Sequence, residues 1–223
     1  MASFVTFEGI EGCGKSTQMR LLAKRLESIG HAVTVTREPG GCPIADQIRD
    51  ILLDADNQAI TPLTELLLYA AARAQHVNEV VKPALEAGGI VLCDRFTDAT
   101  IAYQGYGRKL DLQTIHPLNK LATGGIRPNL TLLLDCPAET GLKRAISRIN
   151  STPGAREERF ELESLQFHQR VRDGYLELAQ QEPARFVIID AAASLEETEE
   201  AIIAVVLARL LKVAASPTSK HME

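Results

Sequence analysis

The stretch Gly9-Ile10-Glu11-Gly12-Cys13-Gly14-Lys15-Ser16-Thr17 has the spacing G-x-x-x-x-G-K-[ST] of a phosphate-binding loop. An apolar, β-prone run at 4–7 precedes the loop, and a helical pattern at 15–29 follows it. This is the context that the motif requires, because its glycines turn backbone N–H groups toward phosphate oxygens at the start of a helix. Lys15 would then reach the outer phosphates, and the Ser16 hydroxyl would help to hold Mg²⁺. The loop predicts a nucleotide site but does not separate a kinase from a switch GTPase or a motor.

The composition is typical of a globular α/β protein. The chain has 223 residues, of which 45% are hydrophobic, and its net charge of −5 does not favour nucleic acid or an anionic membrane as the main partner. Its four cysteines form no C-x-x-C pair, and we find no signal peptide or membrane-spanning run. We therefore expect a reduced, cytoplasmic protein with one domain at 1–215 and a disordered polar tail at 216–223.

Short apolar runs alternate with helical patterns along the chain. Buried strands are predicted at 4–7, 33–36, 90–93, 130–134 and 186–189. Helices are predicted at 15–29, 44–54, 62–87, 112–123, 138–149, 156–181 and 195–212. The alternation predicts an α/β fold: a doubly wound, five-stranded parallel sheet of the phosphate-loop NTPase type with helices on both faces.

Charged residues directly follow each predicted strand. They are Glu8, Arg37-Glu38, Asp94-Arg95, Asp135 and Asp190. Because ligands of such sheets bind at the carboxyl ends of the strands, these residues predict a polar site beside the phosphate loop. Asp94 ends a strand similar to a Walker B strand, whose Asp supports Mg²⁺, and Arg95 offers a fork for a phosphate. For Asp135 and Asp190 a solvated strand end is an equally good interpretation.

A polar segment at 147–160 lies between two predicted helices. Arg148, Arg156 and Arg159 surround Pro153-Gly154 there, a composition typical of a mobile lid that brings guanidinium groups to a phosphoryl group. The alternative is an exposed loop with Arg–Glu pairs, which would add little stability.

Further candidate residues lie between the strands. The segment Arg37-Glu38-Pro39-Gly40-Gly41 is either a Pro-Gly turn or a substrate loop. Tyr69 and Arg73 are four residues apart on one helix face, so they could bind a base or serve as a core Tyr and a surface Arg. The polar side chains of Thr100, Tyr103 and Gln104 suit the edge of a base and a sugar.

Four segments together resemble the thymidylate kinase family, in its order and spacing. They are Phe7–Thr17, Arg37–Gly41, Asp94-Arg95-Phe96 and Ala102-Tyr103-Gln104-Gly105. The resemblance implies transfer of the ATP γ-phosphoryl group to dTMP, giving dTDP for dTTP biosynthesis, with Mg²⁺ held near Ser16 and Asp94. It also implies a homodimer. The apolar face of the 62–87 helix could supply the dimer contact, or it could equally belong to the core.

The resemblance also assigns roles to residues on the dTMP side. Tyr69 corresponds to an aromatic residue that stacks on thymine, and Arg73 to an arginine that hydrogen-bonds the base. Thr100 and Gln104 match polar positions near the base, and Tyr103 matches one near the deoxyribose. The remaining assignments place Glu11 near the sugar 3′-hydroxyl, Arg95 on the acceptor phosphate, and Arg37, Pro39 and Arg49 around that phosphate.

The lid assignments follow from one departure inside the phosphate loop. Some family members have an arginine after the acidic loop residue, where this chain has Gly12. The chain is similar to the bacterial type, which takes its arginines from the lid, so Arg148 and Arg159 join Lys15, Asp94 and Arg95 as expected catalytic residues.

Two other functions fit the phosphate loop itself. One is a kinase of the same fold with another nucleotide or nucleoside as acceptor. The other is a nucleotide-dependent switch, but the guanine motif of GTPases is missing, since Asn119-Lys120 is followed by Leu121-Ala122.

Overall fold

The computed structural model describes residues 2–151 and 159–212. Five strands form one parallel sheet in the order β2-β3-β1-β4-β5. The strands are β1 (Ser3–Glu8), β2 (Val33–Arg37), β3 (Ile90–Asp94), β4 (Leu130–Asp135) and β5 (Phe186–Asp190). All five predicted strands and the doubly wound fold are thus confirmed.

Helices connect the strands and cover both faces of the sheet. They are α1 (Lys15–Ser28), α2 (Pro43–Leu53), α3 (Pro62–His76), α4 (Lys82–Glu86), α5 (Thr97–Thr100), α6 (Leu112–Thr123), α7 (Ala138–Asn150), α8 (Leu165–Gln181) and α9 (Leu195–Lys212). Two π-helical segments, Val77–Val81 and Ile101–Gly107, continue α3 and α5. Among the described residues, no helix is both long and apolar enough to cross a bilayer.

The core follows the alternation of side chains along the central strands. Val5 and Phe7 of β1 pack with Leu22 and Leu26 of α1, whereas Phe4 belongs to a second cluster. Because successive side chains of a strand point to opposite faces, Phe4 lies on the face of β1 opposite to Val5 and Phe7. This packing fixes β1 at the centre and the loop that follows it at the carboxyl edge.

The segment between β3 and α6 differs from the prediction, which assigned no helix there. Residues 97–107 are helical, first α and then π. Gly107 lies against α8, where an added β-carbon would come within 2.7 Å of the Phe167 ring. The segment thus packs closely on α8, and such tertiary packing can override a weak local helix propensity.

The predicted helix at 156–181 was wrong over 159–164, the first part of it that the structure describes. Residues 159–164 form turns, and α8 begins after Ser164, whose hydroxyl accepts a hydrogen bond from the Phe167 N–H at 3.2 Å. A serine at this position stabilises a helix start, so the chain enters the helix later than its apolar spacing indicates.

The predicted 62–87 helix is interrupted by the π-helical turn at 77–81. The segment 152–158, with Arg156, and the predicted tail at 216–223 lie outside the described residues.

Candidate active site

The phosphate loop joins β1 to α1 through left-handed backbone turns. Gly9, Gly12 and Gly14 have φ values of 132°, 71° and 89°, which side-chain-bearing residues rarely adopt. A β-carbon on Gly12 would lie 2.0 Å from the carbonyl oxygen of Gly141 in α7. The glycines are therefore required both by the turn and by the close approach of another helix.

The Lys15 ammonium folds back over the loop. Its Nζ donates to the carbonyl oxygens of Gly9 at 3.1 Å and Ile10 at 2.8 Å, and the side chain is largely buried. The first backbone N–H groups of α1 point to the same region, because a helix start leaves them without intrahelical partners. The ammonium and the helix start together form a site that attracts phosphate oxygens.

Ser16 and Asp94 meet beside this loop. The Ser16 hydroxyl donates to Asp94 Oδ2 at 2.7 Å, although the two residues lie 78 positions apart in the sequence. A hydroxyl and a carboxylate are hard oxygen donors of the kind that Mg²⁺ uses together with substrate phosphates. No group of three or more His, Cys, Asp or Glu side chains that could hold a metal ion occurs in 2–151 or 159–212.

Arg95 stands at the centre of the site. Its Nη2 donates to Glu11 Oε1 at 3.0 Å, its Nη1 donates to the Gly9 carbonyl oxygen at 2.9 Å, and its guanidinium lies 4.7 Å from the centroid of the Tyr103 ring. Its backbone is in the left-handed region with φ of 69°. A non-glycine residue in this region is strained, and such strain persists where the surroundings hold it. The structure thus holds Arg95 in one fixed direction.

Glu11 gathers donors from three sides. Besides Arg95, the Tyr103 hydroxyl donates to its Oε1 at 2.5 Å, and His168 Nδ1 lies 3.2 Å from its Oε2. Burial by itself raises the pKa of Glu11, but the positive charge of Arg95 and the hydrogen bond from His168 bring it well below its usual range. Glu11 is therefore an anion that orients the groups around it.

Glu8, at the end of β1, is buried beneath Arg95. It accepts hydrogen bonds from the Tyr175 hydroxyl at 2.7 Å and from the Phe96 N–H at 2.8 Å. Burial, followed by the negative charge of Asp98, raises the pKa of Glu8 from 4.5 to about 7. The Tyr175 hydroxyl also lies 3.2 Å from Arg95 Nη1, so Glu8 supports the arginine from behind.

This raised pKa predicts a pH-dependent stability. Between 4.5 and about 7 the folded chain keeps a proton on Glu8 that the unfolded chain releases, so the free energy of unfolding falls as pH rises. We expect Glu8→Gln to gain stability relative to the parent by up to about 3 kcal/mol between pH 5 and 8. Urea unfolding at intervals across this range measures the difference.

The matched control for this prediction is Glu196→Gln, at an exposed position in the first turn of α9. Its stability difference from the parent should not follow the same curve. A difference for Glu8→Gln that stays constant from pH 5 to pH 8 would show that the buried carboxyl does not titrate there.

Arg73 lies fully buried at the end of a chain of polar side chains. Its Nε donates to Glu38 Oε2 at 2.7 Å and its Nη1 donates to Asn119 Oδ1 at 2.9 Å. His76 Nδ1 lies 2.8 Å from Glu38 Oε1, and His76 Nε2 lies 2.7 Å from the Thr36 hydroxyl. Burying a guanidinium requires such partners, and they fix its direction. Arg73 is therefore not a surface arginine.

An aromatic wall closes the side of the site next to Arg73. The rings of Tyr69 and Tyr103 lie 6.4 and 5.5 Å from the ring of Phe160, between centroids. Burial, followed by the charge of Glu65, raises the pKa of Tyr69, so its hydroxyl stays protonated. The Thr100 hydroxyl is buried and has no hydrogen-bond partner within the described ranges. Unpaired buried polar atoms are costly, so this one is suited to a ligand.

Arg37 at the end of β2, Pro39 in the turn that follows and Arg49 in α2 lie on one side of the site. The Arg49 Nη1 donates to the Pro39 carbonyl oxygen at 2.9 Å, and Arg37 lies 3.4 Å from Asp46. All three residues face the same cavity as Arg95.

The two lid arginines that the structure describes lie in different surroundings. Arg148, near the end of α7, borders the cavity with its side chain mostly exposed, 3.7 Å from Glu161. Arg159 is buried, with its Nη1 2.7 Å from Glu65 Oε2 and its Nε donating to the Leu52 carbonyl oxygen. The structure therefore brings Arg148, but not Arg159, to the open side of the site.

One cavity of about 460 Å³ joins these groups. It runs from the phosphate loop past Arg95 to the aromatic wall and Arg73. The residues predicted for the site that line it are Glu11, Gly12, Gly14, Lys15, Ser16, Thr17, Arg37, Pro39, Arg49, Tyr69, Arg73, Asp94, Arg95, Thr100, Tyr103, Gln104 and Arg148. A cavity of this size is in the range for a small ligand.

Sequence reasoning did not find several residues that shape the cavity. They are Glu65, Phe160, His168 and Tyr175. Nothing in the local sequence around these residues distinguishes them from ordinary helix or turn residues, and only the fold brings them to the site. Glu8, by contrast, could be identified from the sequence, because it directly follows an apolar run that predicts a strand. His76 and His168 are both buried.

Comparison with known proteins identifies the family. The thymidylate kinase family model matches residues 7–202. A thymidylate kinase from Geotalea uraniireducens (strain Rf4) is 71% identical over 94% of this chain and 99% of its own length. Another, from Geobacter sp. (strain M21), is 68% identical over 89% of this chain and 88% of its own.

A solved structure agrees with these sequence matches. The crystal structure of thymidylate kinase from Ehrlichia chaffeensis superposes with a TM-score of 0.74 at 34% sequence identity, covering 92% of this chain and 98% of that one. The family match spans most of the chain and includes the residues that line the cavity. The chain therefore belongs to the thymidylate kinase family.

Proposed function

We propose that the cavity carries out the family's reaction, with the ATP phosphates in the loop 9–17 and dTMP beside Arg95. Phosphorylation of dTMP to dTDP by ATP follows from membership of the family; the positions of the two nucleotides are our proposal. One observation carries it: a single cavity connects Lys15 with the aromatic wall at Tyr69 and with the Thr100 hydroxyl, which has no hydrogen-bond partner among the described residues.

The thymine base is placed between the aromatic wall and Arg73. Tyr69 offers a ring face for stacking, and the buried guanidinium of Arg73 has a fixed direction from which it donates to a base carbonyl. Thr100 and Gln104 reach the base edge. Glu11 and Tyr103 lie where the deoxyribose would pass on the way to Arg95.

The dTMP phosphate is placed at Arg95, with Arg37 and Arg49 around it. To bind the phosphate, Arg95 must give up part of its contact with Glu11 or Gly9. The buried part of its side chain keeps the guanidinium directed at the proposed phosphate position. Because the acceptor phosphate is already anionic, the reaction depends on positioning and charge neutralisation rather than on a strong general base.

We place the β- and γ-phosphate oxygens of ATP at Lys15, beside Ser16 and Asp94, the two residues that would hold Mg²⁺. The Ser16 hydroxyl and the Asp94 carboxylate fit the ion because both are oxygen donors at hydrogen-bond distance from each other. When bound, Mg²⁺ supplies positive charge that neutralises phosphate oxygens as the γ-phosphoryl group is transferred. Lys15 adds a second positive charge at the loop.

Among the lid arginines, we assign contact with the transferring phosphoryl group to Arg148. Its mostly exposed side chain borders the cavity at the end of α7. Arg159, which the sequence placed in the same role, would first have to leave Glu65, so we assign it to the wall of the base site.

The assembly and the setting of the enzyme are also proposals. We expect one kinase domain at 1–215, a homodimer and a cytoplasmic location. Leu63 and Leu67 of α3 are about half exposed, which supports this helix as the dimer contact. Light scattering of the purified protein measures whether its mass is that of two chains.

A panel of acceptors tests the proposed function. ADP release from ATP and Mg²⁺ is measured with dTMP, dUMP, UMP, AMP, GMP, dCMP and thymidine. Stimulation chiefly by dTMP is the expected result. Stimulation by a different acceptor would overturn the placement of the base at Tyr69, Arg73, Thr100 and Gln104 but keep the phosphate loop as the ATP site.

A further inference from the structure

A buried carboxylate lies directly behind the proposed base site. Glu65, on α3 one helical turn before Tyr69, is 1% exposed. It accepts hydrogen bonds from Arg108, whose Nε and Nη2 each lie 3.1 Å from one of its oxygens, and it pairs with Arg159 at 2.7 Å. It also accepts a hydrogen bond from Gln104 Nε2 at 2.8 Å. One carboxylate thus holds two guanidinium groups and one amide.

These contacts fix which end of the Gln104 amide faces the cavity. A carboxylate that receives N–H groups from two guanidinium groups accepts hydrogen bonds and has no proton to donate. Only the NH₂ end of an amide can meet it favourably, so the amide oxygen of Gln104 points away from Glu65. Gln104 lines the cavity, and no residue in the described ranges donates to that oxygen.

We propose that Glu65 is a positioning residue that sets the base specificity of the enzyme through Gln104. By holding the NH₂ group, it presents the Gln104 carbonyl oxygen to the base as an acceptor. This inference rests on the proposed placement of the dTMP base between Tyr69 and Arg73.

The chemistry of the two pyrimidine types explains the selection. Thymine has an N3–H donor next to carbonyl oxygens, so an acceptor at Gln104 and a donor at Arg73 match it. A cytosine ring has an unprotonated N3 acceptor and an amino group at C4, so both contacts become unfavourable. A protein site with fixed polar groups discriminates strongly because a mismatch leaves buried groups unpaired.

The variant Glu65→Gln tests this inference. An amide at position 65 can donate as well as accept, so it no longer dictates the orientation of Gln104. We measure kcat and KM for dTMP, for 5-methyl-dCMP, which differs from dTMP only around N3 and C4, and for dUMP. The preference for dTMP over 5-methyl-dCMP should fall about tenfold or more, mainly through the KM of dTMP. The KM of ATP and the preference for dTMP over dUMP should stay unchanged.

Two controls separate positioning from general damage. Glu163 pairs with Arg108 in the same cluster but makes no hydrogen bond to Gln104, so Glu163→Gln should leave the preference intact. In a Gln104→Ala background, Glu65→Gln should no longer change the preference. An unchanged preference in folded Glu65→Gln, an equal fall in Glu163→Gln, or a full effect without Gln104 would each overturn the inference.

A swapped pair covers the case in which Glu65→Gln does not fold. In the double variant Glu65→Gln with Gln104→Glu, the amide and the carboxylate exchange places, and position 104 again presents an acceptor. It should recover dTMP preference relative to Gln104→Glu alone, and no recovery would overturn the inference. If the parent enzyme itself does not prefer dTMP, the placement of the nucleotide fails first, so the two failures are distinguishable.

Discussion

Replacing Lys15 by alanine is expected to lower kcat by about two to four orders of magnitude. The Lys15 ammonium is buried over the phosphate loop, where its only described partners are the Gly9 and Ile10 carbonyl oxygens and the Cys13 sulfur. These weak partners leave the charge available for phosphate oxygens. In a site shielded from water, the charge of Lys15 stabilises the transition state, in which negative charge shifts between the β- and γ-phosphate groups of ATP.

The measurement is the initial rate of dTDP formation at saturating ATP and dTMP. Lys24→Ala, on the exposed face of the same helix, is the matched control and should behave like the parent. Binding of dTMP to Lys15→Ala should change little, because the proposed acceptor site does not include Lys15. A kcat within a few-fold of the parent would contradict the assigned role.

Replacing Arg95 by alanine is expected to lower kcat/KM for dTMP by about 10²–10³, with a much smaller change in the KM of ATP. The guanidinium donates to Glu11, Gly9 and Tyr175 and lies over the Tyr103 ring, so its loss removes the proposed contact with the dTMP phosphate and the hydrogen bonds that link these three groups. Steady-state kinetics with each nucleotide varied in turn give both constants.

The variant Arg95→Gly separates the loss of the guanidinium from the backbone strain at this position. Because φ of Arg95 is 69°, Arg95→Gly should be more stable than Arg95→Ala by about 1 kcal/mol, while both lose the same activity. Arg127→Ala, at an exposed arginine whose side chain pairs with Glu182, should keep full activity. Recovery of activity in the glycine variant would mean that Arg95 contributes shape rather than charge.

The sequence predicted the features that depend on short-range patterns. The phosphate loop needs glycines at fixed offsets, and buried parallel strands appear as short apolar runs, so both could be identified locally. Asp94 and Arg95 were found in the same way, since the carboxyl ends of parallel strands share one edge.

The features that the sequence did not predict depend on packing between distant elements. The helix at 97–107 forms against α8, and Glu65 meets Gln104 and Arg159 from positions 39 and 94 residues away. Nothing near Arg159 distinguishes an arginine that faces a phosphate from one that pairs with a buried carboxylate. Such pairings follow from the fold, so they appear only when the fold is known.

The close approach of Gly12 and Gly141 brings the phosphate loop into contact with α7, although the two are 129 residues apart in the sequence. A β-carbon on Gly141 would lie 2.5 Å from the Glu11 carbonyl oxygen, so the main chain of α7 rests directly on the nucleotide loop. The same helix carries Arg148 two turns later. The nucleotide loop and Arg148 are therefore connected through the main chain of a single helix, with no side chain between the loop and that helix at Gly12 and Gly141.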